Sequence, residues 1–190
     1  RLVRWIVSVL LLFLLLMTLG RFIIFWKFNP PGKAFSGSAF IMGLRFDARV
    51  VCVIGLLMLL LCAIPYINPF KNSRAKTFWN ILLPVLFLLM LLVLAIDYYH
   101  FDYLHQRLNA TVLNYLQDAG ISFSMMWQSY PLPWIGLALI LAFLLGRLLF
   151  SRLLARYMEQ ESFYKRKARL LYVLTFLVLG GFIFGKIGQF

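Results

Sequence analysis

Apolar residues dominate five stretches of this chain, at roughly residues 5–26, 50–67, 77–96, 133–150 and 170–185. A helix needs about 20 such residues to cross a hydrocarbon core of about 30 Å, and each stretch comes close to that length. Runs such as Leu10-Leu11-Leu12-Phe13-Leu14-Leu15-Leu16 lack the alternation of barrel strands. Backbone amides in lipid must be satisfied within their own segment, so these runs predict helices. The expected fold is an all-α membrane protein with five transmembrane helices. The first stretch exceeds a signal-peptide core, and Thr18-Leu19-Gly20-Arg21 is a poor cleavage site, so it reads as a permanent span.

The connections are unequal. Asn68-Pro69-Phe70-Lys71-Asn72-Ser73-Arg74 is a short breaker-rich turn between antiparallel helices. The connection at about 151–168 is longer, mixes Glu159 and Glu161 with many basic residues, and predicts a fourth helix extended beyond the membrane. On the other side, Asn29-Pro30-Pro31-Gly32-Lys33 breaks the chain, and Phe35, Ala39, Phe40, Gly43 and Leu44 follow at helical spacing. That spacing predicts a short helix lying in the interface. Residues 98–131 are rich in aromatic and polar groups. Val112, Leu113, Tyr115 and Leu116 predict one further short interfacial helix, and Ile121, Phe123, Met125, Met126 and Trp127 predict another. Tyr98, Tyr99, Tyr103, Trp127 and Tyr130 also suit an aromatic belt at the headgroup level.

Composition fixes the solvent. With 63% hydrophobic residues and a mean hydropathy of +0.89, little polar surface remains to face water. The formal charge of +13 raises the question of nucleic acid, and the positions of the charges answer it. Arg1, Arg4, Lys71, Arg74, Lys76, Arg147, Arg152, Arg156, Lys165, Arg166, Lys167 and Arg169 all belong to alternate connections. Arg21, Lys27, Lys33, Arg45, Arg49, Arg107 and Lys186 fall on the opposite side, among Asp47, Asp97, Asp102 and Asp118. The positive-inside rule then places the N-terminus in the cytoplasm and the C-terminus outside. The excess charge reads as topology and anionic-lipid contact, with no nucleic-acid partner. Cys52 and Cys62, about 15 Å apart along one helix, are too distant for a disulfide.

The most chemically loaded string is Gly43-Leu44-Arg45-Phe46-Asp47-Ala48-Arg49, at the expected mouth of the second span. Arg45 and Arg49 share a helix face, and guanidinium groups suit bidentate phosphate contact. One reading is that they hold a lipid phosphate. The other is a structural ion-pair network with Asp47 and Asp97. Asp47 points away from both arginines, where an arginine of a neighbouring helix or the helix N-terminus would stabilise it. Asp97 closes the third span at a depth where a carboxylate needs a partner. Asp97 to His100 and Asp102 to His105 repeat an Asp-x-x-His spacing, but the pairs diverge and no metal site is expected. Asn109-Ala110-Thr111 fits a glycosylation acceptor or a helix cap. No catalytic motif is present.

Gly43-Leu44-Arg45-Phe46-Asp47-Ala48-Arg49, Asp97-Tyr98-Tyr99, Arg107-Leu108-Asn109, Ser129-Tyr130-Pro131 and Gly185-Lys186-Ile187-Gly188-Gln189-Phe190 together resemble one family. It is the N-terminal membrane domain of the bacterial lipoteichoic acid synthase and phosphoglycerol transferase proteins, of the alkaline phosphatase and sulfatase superfamily. The resemblance covers residues 1–190 as a single transmembrane domain, and its most specific element is Gly-Leu-Arg-Phe-Asp. It implies a five-helix anchor in the bacterial cytoplasmic membrane, followed by an extracytoplasmic catalytic domain that lies outside these residues. That domain would carry a threonine nucleophile and a divalent metal such as manganese, so no catalytic residue transfers to this chain. The implied partners are a phosphatidylglycerol-like phospholipid and the chain's own catalytic domain. Arg45, Arg49 and Arg107 are then expected to place positive charge near the headgroup. The phosphoethanolamine transferases share the architecture and are the nearest alternative. A transporter would instead show ionisable residues inside its spans, discontinuous helices or internal repeats. A structural scaffold would need no headgroup site.

Overall fold

Five helices account for nearly all of what the computed structural model describes, which is residues 1–28, 37–105, 132–159 and 165–184. They are α1 (Leu2–Phe28), α2 (Gly37–Ala63), α3 (Ser73–Leu104), α4 (Leu132–Glu159) and α5 (Lys165–Phe184). No strand occurs among the described residues. Four segments are long and apolar enough to cross a membrane: Leu2–Phe28, Phe40–Ala63, Ser73–Asp102 and Pro133–Glu159. The apolar part of α5, Arg169–Phe184, is shorter. The chain is an all-α membrane protein.

α1 is the central helix and touches the other four, while α3 packs on α4 and α2 packs on α5. Leu10 of α1 and Leu179 of α5 meet over Gly55 of α2. Phe150 of α4 lies against both Phe13 of α1 and Phe87 of α3. Trp5, Ile6, Val9 and Phe13 form the α1 side of the core, with Met58, Leu59, Trp79, Leu83 and Leu154 closing around them. Leu11, Leu15, Leu145 and Leu177 are each more than half exposed and point away from the bundle. Such a surface is stable against acyl chains and untenable in water. The spans also satisfy their own hydroxyls: Thr18 and Thr175 donate to the carbonyls of Leu14 and Leu171, at 2.8 and 2.7 Å.

The turn at 64–72 shows why its breaker residues matter. Asn68 donates its side-chain amide to the Cys62 carbonyl at 3.0 Å, and its Oδ1 accepts from the Phe70 N–H at 3.0 Å. Asn72 caps α3 by accepting from the Arg74 N–H at 3.0 Å. Trp79 Nε1 donates to the Ile67 carbonyl at 2.8 Å, and Trp5 stands edge-on to both Trp79 and Phe70. This end of the bundle also carries Arg4, Lys71, Arg74 and Arg156, and we call it the basic end.

Three expectations change. The second helix does not begin at residue 50; it runs continuously from Gly37, so the segment expected to lie in the interface forms the first turns of α2. Arg45, Asp47 and Arg49 therefore sit inside the helix rather than at its mouth. The uncharged-run criterion stops at the first charge, whereas a paired charge does not end a helix in lipid. The third helix likewise continues past Asp97, to a left-handed cap at His105 with φ 55°. The predicted extension of α4 beyond its apolar run is present, to Glu159. The interfacial helices expected near residues 112–116 and 121–127 lie outside the described residues, as do Arg107 and Asn109.

Candidate functional site

Arg21 is the one basic residue within the otherwise apolar stretch 5–26 of α1, and it needs a counter-charge. Asp47 of α2 supplies it. Arg21 Nη2 donates to Asp47 Oδ1 at 2.7 Å, and Nε donates to Oδ2 at 3.1 Å, a side-on bidentate pair. Nη2 also donates to the Gly43 carbonyl at 3.0 Å. The side chains are 23% and 8% exposed, so the pair is largely withdrawn from its surroundings.

Gly43 makes this arrangement possible. A Cβ at Gly43 would land on the guanidinium, overlapping Nη1 and lying 2.6 Å from Nε. Gly43 and Asp47 are four residues apart, so both face α1, and the arginine lies flat on the α2 backbone between them. Asp47 is also too far into α2 for the dipole of the helix N-terminus to hold it. Of the two partners open to it from sequence, the neighbouring arginine is the one it takes.

With Asp47 turned to α1, Arg45 and Arg49 occupy the opposite side of α2, two residues to either side of it. Arg45 is exposed and Arg49 half-buried. Arg49 lies about 14 Å along the helix from Phe40, at about 1.5 Å per residue, well below the end of the span. Beside them, α1, α2 and α5 enclose an apolar groove of about 330 Å3, lined by Leu10, Leu14, Ala48, Cys52, Val178 and Phe182 among others. Ala48 is one turn from Arg45, and Cys52 one turn from Arg49. The groove carries almost no polar surface.

Asp97 is buried in α3 at 8% exposure. Its helix is brought to α1 by Leu94, which packs over Gly20, next to Arg21. Both buried carboxylates thus belong to the end of the bundle away from the basic end. No group of three or more His, Cys, Asp or Glu converges among the described residues, and Cys52 and Cys62 are free thiols.

Sequence reasoning singled out Asp47 but missed the two residues that fix it. Arg21 counts in the sequence only among the charges of the outer side, and Gly43 only as part of a helical pattern and of the Gly-Leu-Arg-Phe-Asp string. The available signal was the pairing of a mid-span arginine in one helix with a glycine and an aspartate four apart in the next. No protein-family model, curated protein or solved structure matches the chain.

Proposed function

We propose that this chain is the membrane domain of an extracytoplasmic phosphoglycerol transferase of the lipoteichoic acid synthase type, which anchors the catalytic domain and holds its phospholipid donor. The observation that carries the reading is the pairing of Arg45 and Arg49 on one face of α2 with an apolar groove beside them. A phospholipid presents the complementary pattern, a phosphate joined to long acyl chains. Arg21 is committed to Asp47, while Arg45 and Arg49 across the helix carry the planar donor fork that suits a phosphate. The groove accepts an acyl chain. The basic residues gather at the Leu2 end of α1, so the positive-inside rule sets that end in the cytoplasm of a bacterium and the Arg45 end outside. α5 then serves as the fifth crossing and leads outward to the catalytic domain.

The test replaces Arg45, Arg49 and Arg107 singly with Gln in the parent protein bearing the catalytic domain, at matched membrane abundance. Release of diacylglycerol from phosphatidylglycerol vesicles is measured. Losing a charge-assisted phosphate contact is expected to lower the rate about tenfold or more for Arg45→Gln or Arg49→Gln. Full activity in all three variants would leave these arginines structural.

A self-contained transporter is the second reading, and one observation favours it: Arg21, Asp47, Arg49 and Arg147 lie inside spans rather than at their ends. Against it, Arg21 and Asp47 close on each other, and each described span is an unbroken helix. Radiolabelled phosphate or glycerophosphate uptake into vesicles holding the chain alone would support the transporter.

A further inference from the structure

α4 carries an arginine where the bilayer offers nothing to meet it. Arg147 is exposed and forms no ion pair or hydrogen bond with any described residue. Its depth follows from its neighbours. Phe150, one turn nearer the basic end, is level with Phe13 and Phe87. Phe13 lies about 14 Å along α1 from Arg4, and Phe87 about 16 Å along α3 from Lys76, at about 1.5 Å per residue. Gly146, next to Arg147, packs against Phe87 and Pro84 near the middle of α3. Arg147 is therefore close to mid-bilayer rather than in the connection expected from the sequence, and a cation there costs about 2.5–3.5 kcal/mol or more. Snorkelling shortens its path to water by one side chain and stops short of either end of the span.

The surface around it has the form of a helix-packing face. Gly136, Ile140, Leu144, Arg147 and Ser151 fall on one stripe of α4 at helical spacing. A Cβ at Gly136 would meet nothing within 4 Å, and Ile140 and Leu144 are 59% and 51% exposed. α4 has the least buried of the four long apolar segments, 11% against 17–33% for the others.

We propose that this stripe of α4 docks a transmembrane helix of another protein that carries an Asp or Glu near mid-bilayer, paired to Arg147. Charge complementarity selects that occupant. A second copy fits poorly, because two-fold pairing on the stripe would set two Arg147 side chains at one depth. The described carboxylate nearest that depth, Asp47, is already held by Arg21. A lipid phosphate is the competing anion, and the test below separates it from a partner carboxylate. The proposal concerns a different helix from the headgroup reading and stands without it.

The test uses the 190-residue chain in phosphatidylcholine vesicles and four labelled poly-leucine transmembrane peptides, with Glu, Gln, Leu or Lys at the central position. Energy transfer reports association. The Glu peptide is expected to associate about tenfold more tightly than the Leu peptide. Arg147→Leu is expected to abolish that preference. Arg147→Glu, which keeps a charge at the site, is expected to switch it to a peptide with central Lys. Equal association of all peptides, or a Glu preference that survives Arg147→Leu, would overturn the proposal. So would an Arg147→Leu variant whose only change is loss of co-purified anionic phospholipid, which would make the partner a lipid.

Discussion

The two parallel hydrogen bonds from Arg21 to Asp47 are costly to half-dismantle and cheap to replace whole. Removing one member of a buried pair strands the other charge, at about 3–5 kcal/mol, whereas an apolar pair of similar volume is often neutral. Asp47→Ala is therefore expected to destabilise the bundle by about 3–5 kcal/mol, and Arg21→Met with Asp47→Leu to recover most of that loss. Reversible unfolding in mixed detergent micelles measures both. Gly43→Ala gives a geometric check, because its new methyl group occupies the guanidinium's place. It should destabilise the parent markedly and the Arg21→Met, Asp47→Leu background far less. Equal effects in the two backgrounds would mean that Gly43 matters for some other reason. This residue-scale arrangement was only half legible in the sequence. Asp47 visibly needed a partner, but helix-face spacing says nothing about which residue of another helix stands opposite.

At the scale of elements, the α3–α4 contact rests on a close approach. α3 has Pro84 within it, and Gly146 of α4 lies over that position, with its notional Cβ 3.1 Å from Phe87 Cδ1 and 3.7 Å from Pro84 Cα. Gly146→Leu would wedge the helices apart at an overpacking cost of about 1–3 kcal/mol, while Gly146→Ala should be tolerated after a small shift of the Phe87 ring. The same unfolding measurement separates the two variants, and equal stability would remove the close approach from the account. Element existence was readable because long apolar runs admit few alternatives in lipid. Element ends were not. α2 begins about 13 residues before the expected residue 50, since Asp47 is neutralised across the interface with α1 and the helix continues through the charges. The turn expected at 68–74 is present but occupies 64–72, with α2 ending at Ala63 rather than at residue 67; Asn68 and Asn72 mark it because they act locally on carbonyls and amides a few residues away.

For the whole molecule, the arrangement separates two chemistries by the length of a helix. One end holds Trp5, Trp79 and the cations Lys71, Arg74 and Arg156; towards the other lie Arg45, the Arg21–Asp47 pair and the buried Asp97. The headgroup reading and the outward placement of a catalytic domain both depend on these ends facing opposite sides of a membrane, with the Lys71 end in the cytoplasm. Labelling single cysteines with a membrane-impermeant maleimide tests this directly, at Ser73→Cys at the start of α3 and at Asp102→Cys near its end. The native Cys52 and Cys62 lie within the α2 span and serve as an unlabelled background. Asp102→Cys is expected to react in intact cells, and Ser73→Cys only after permeabilisation. Reaction of both positions from the same side would contradict it.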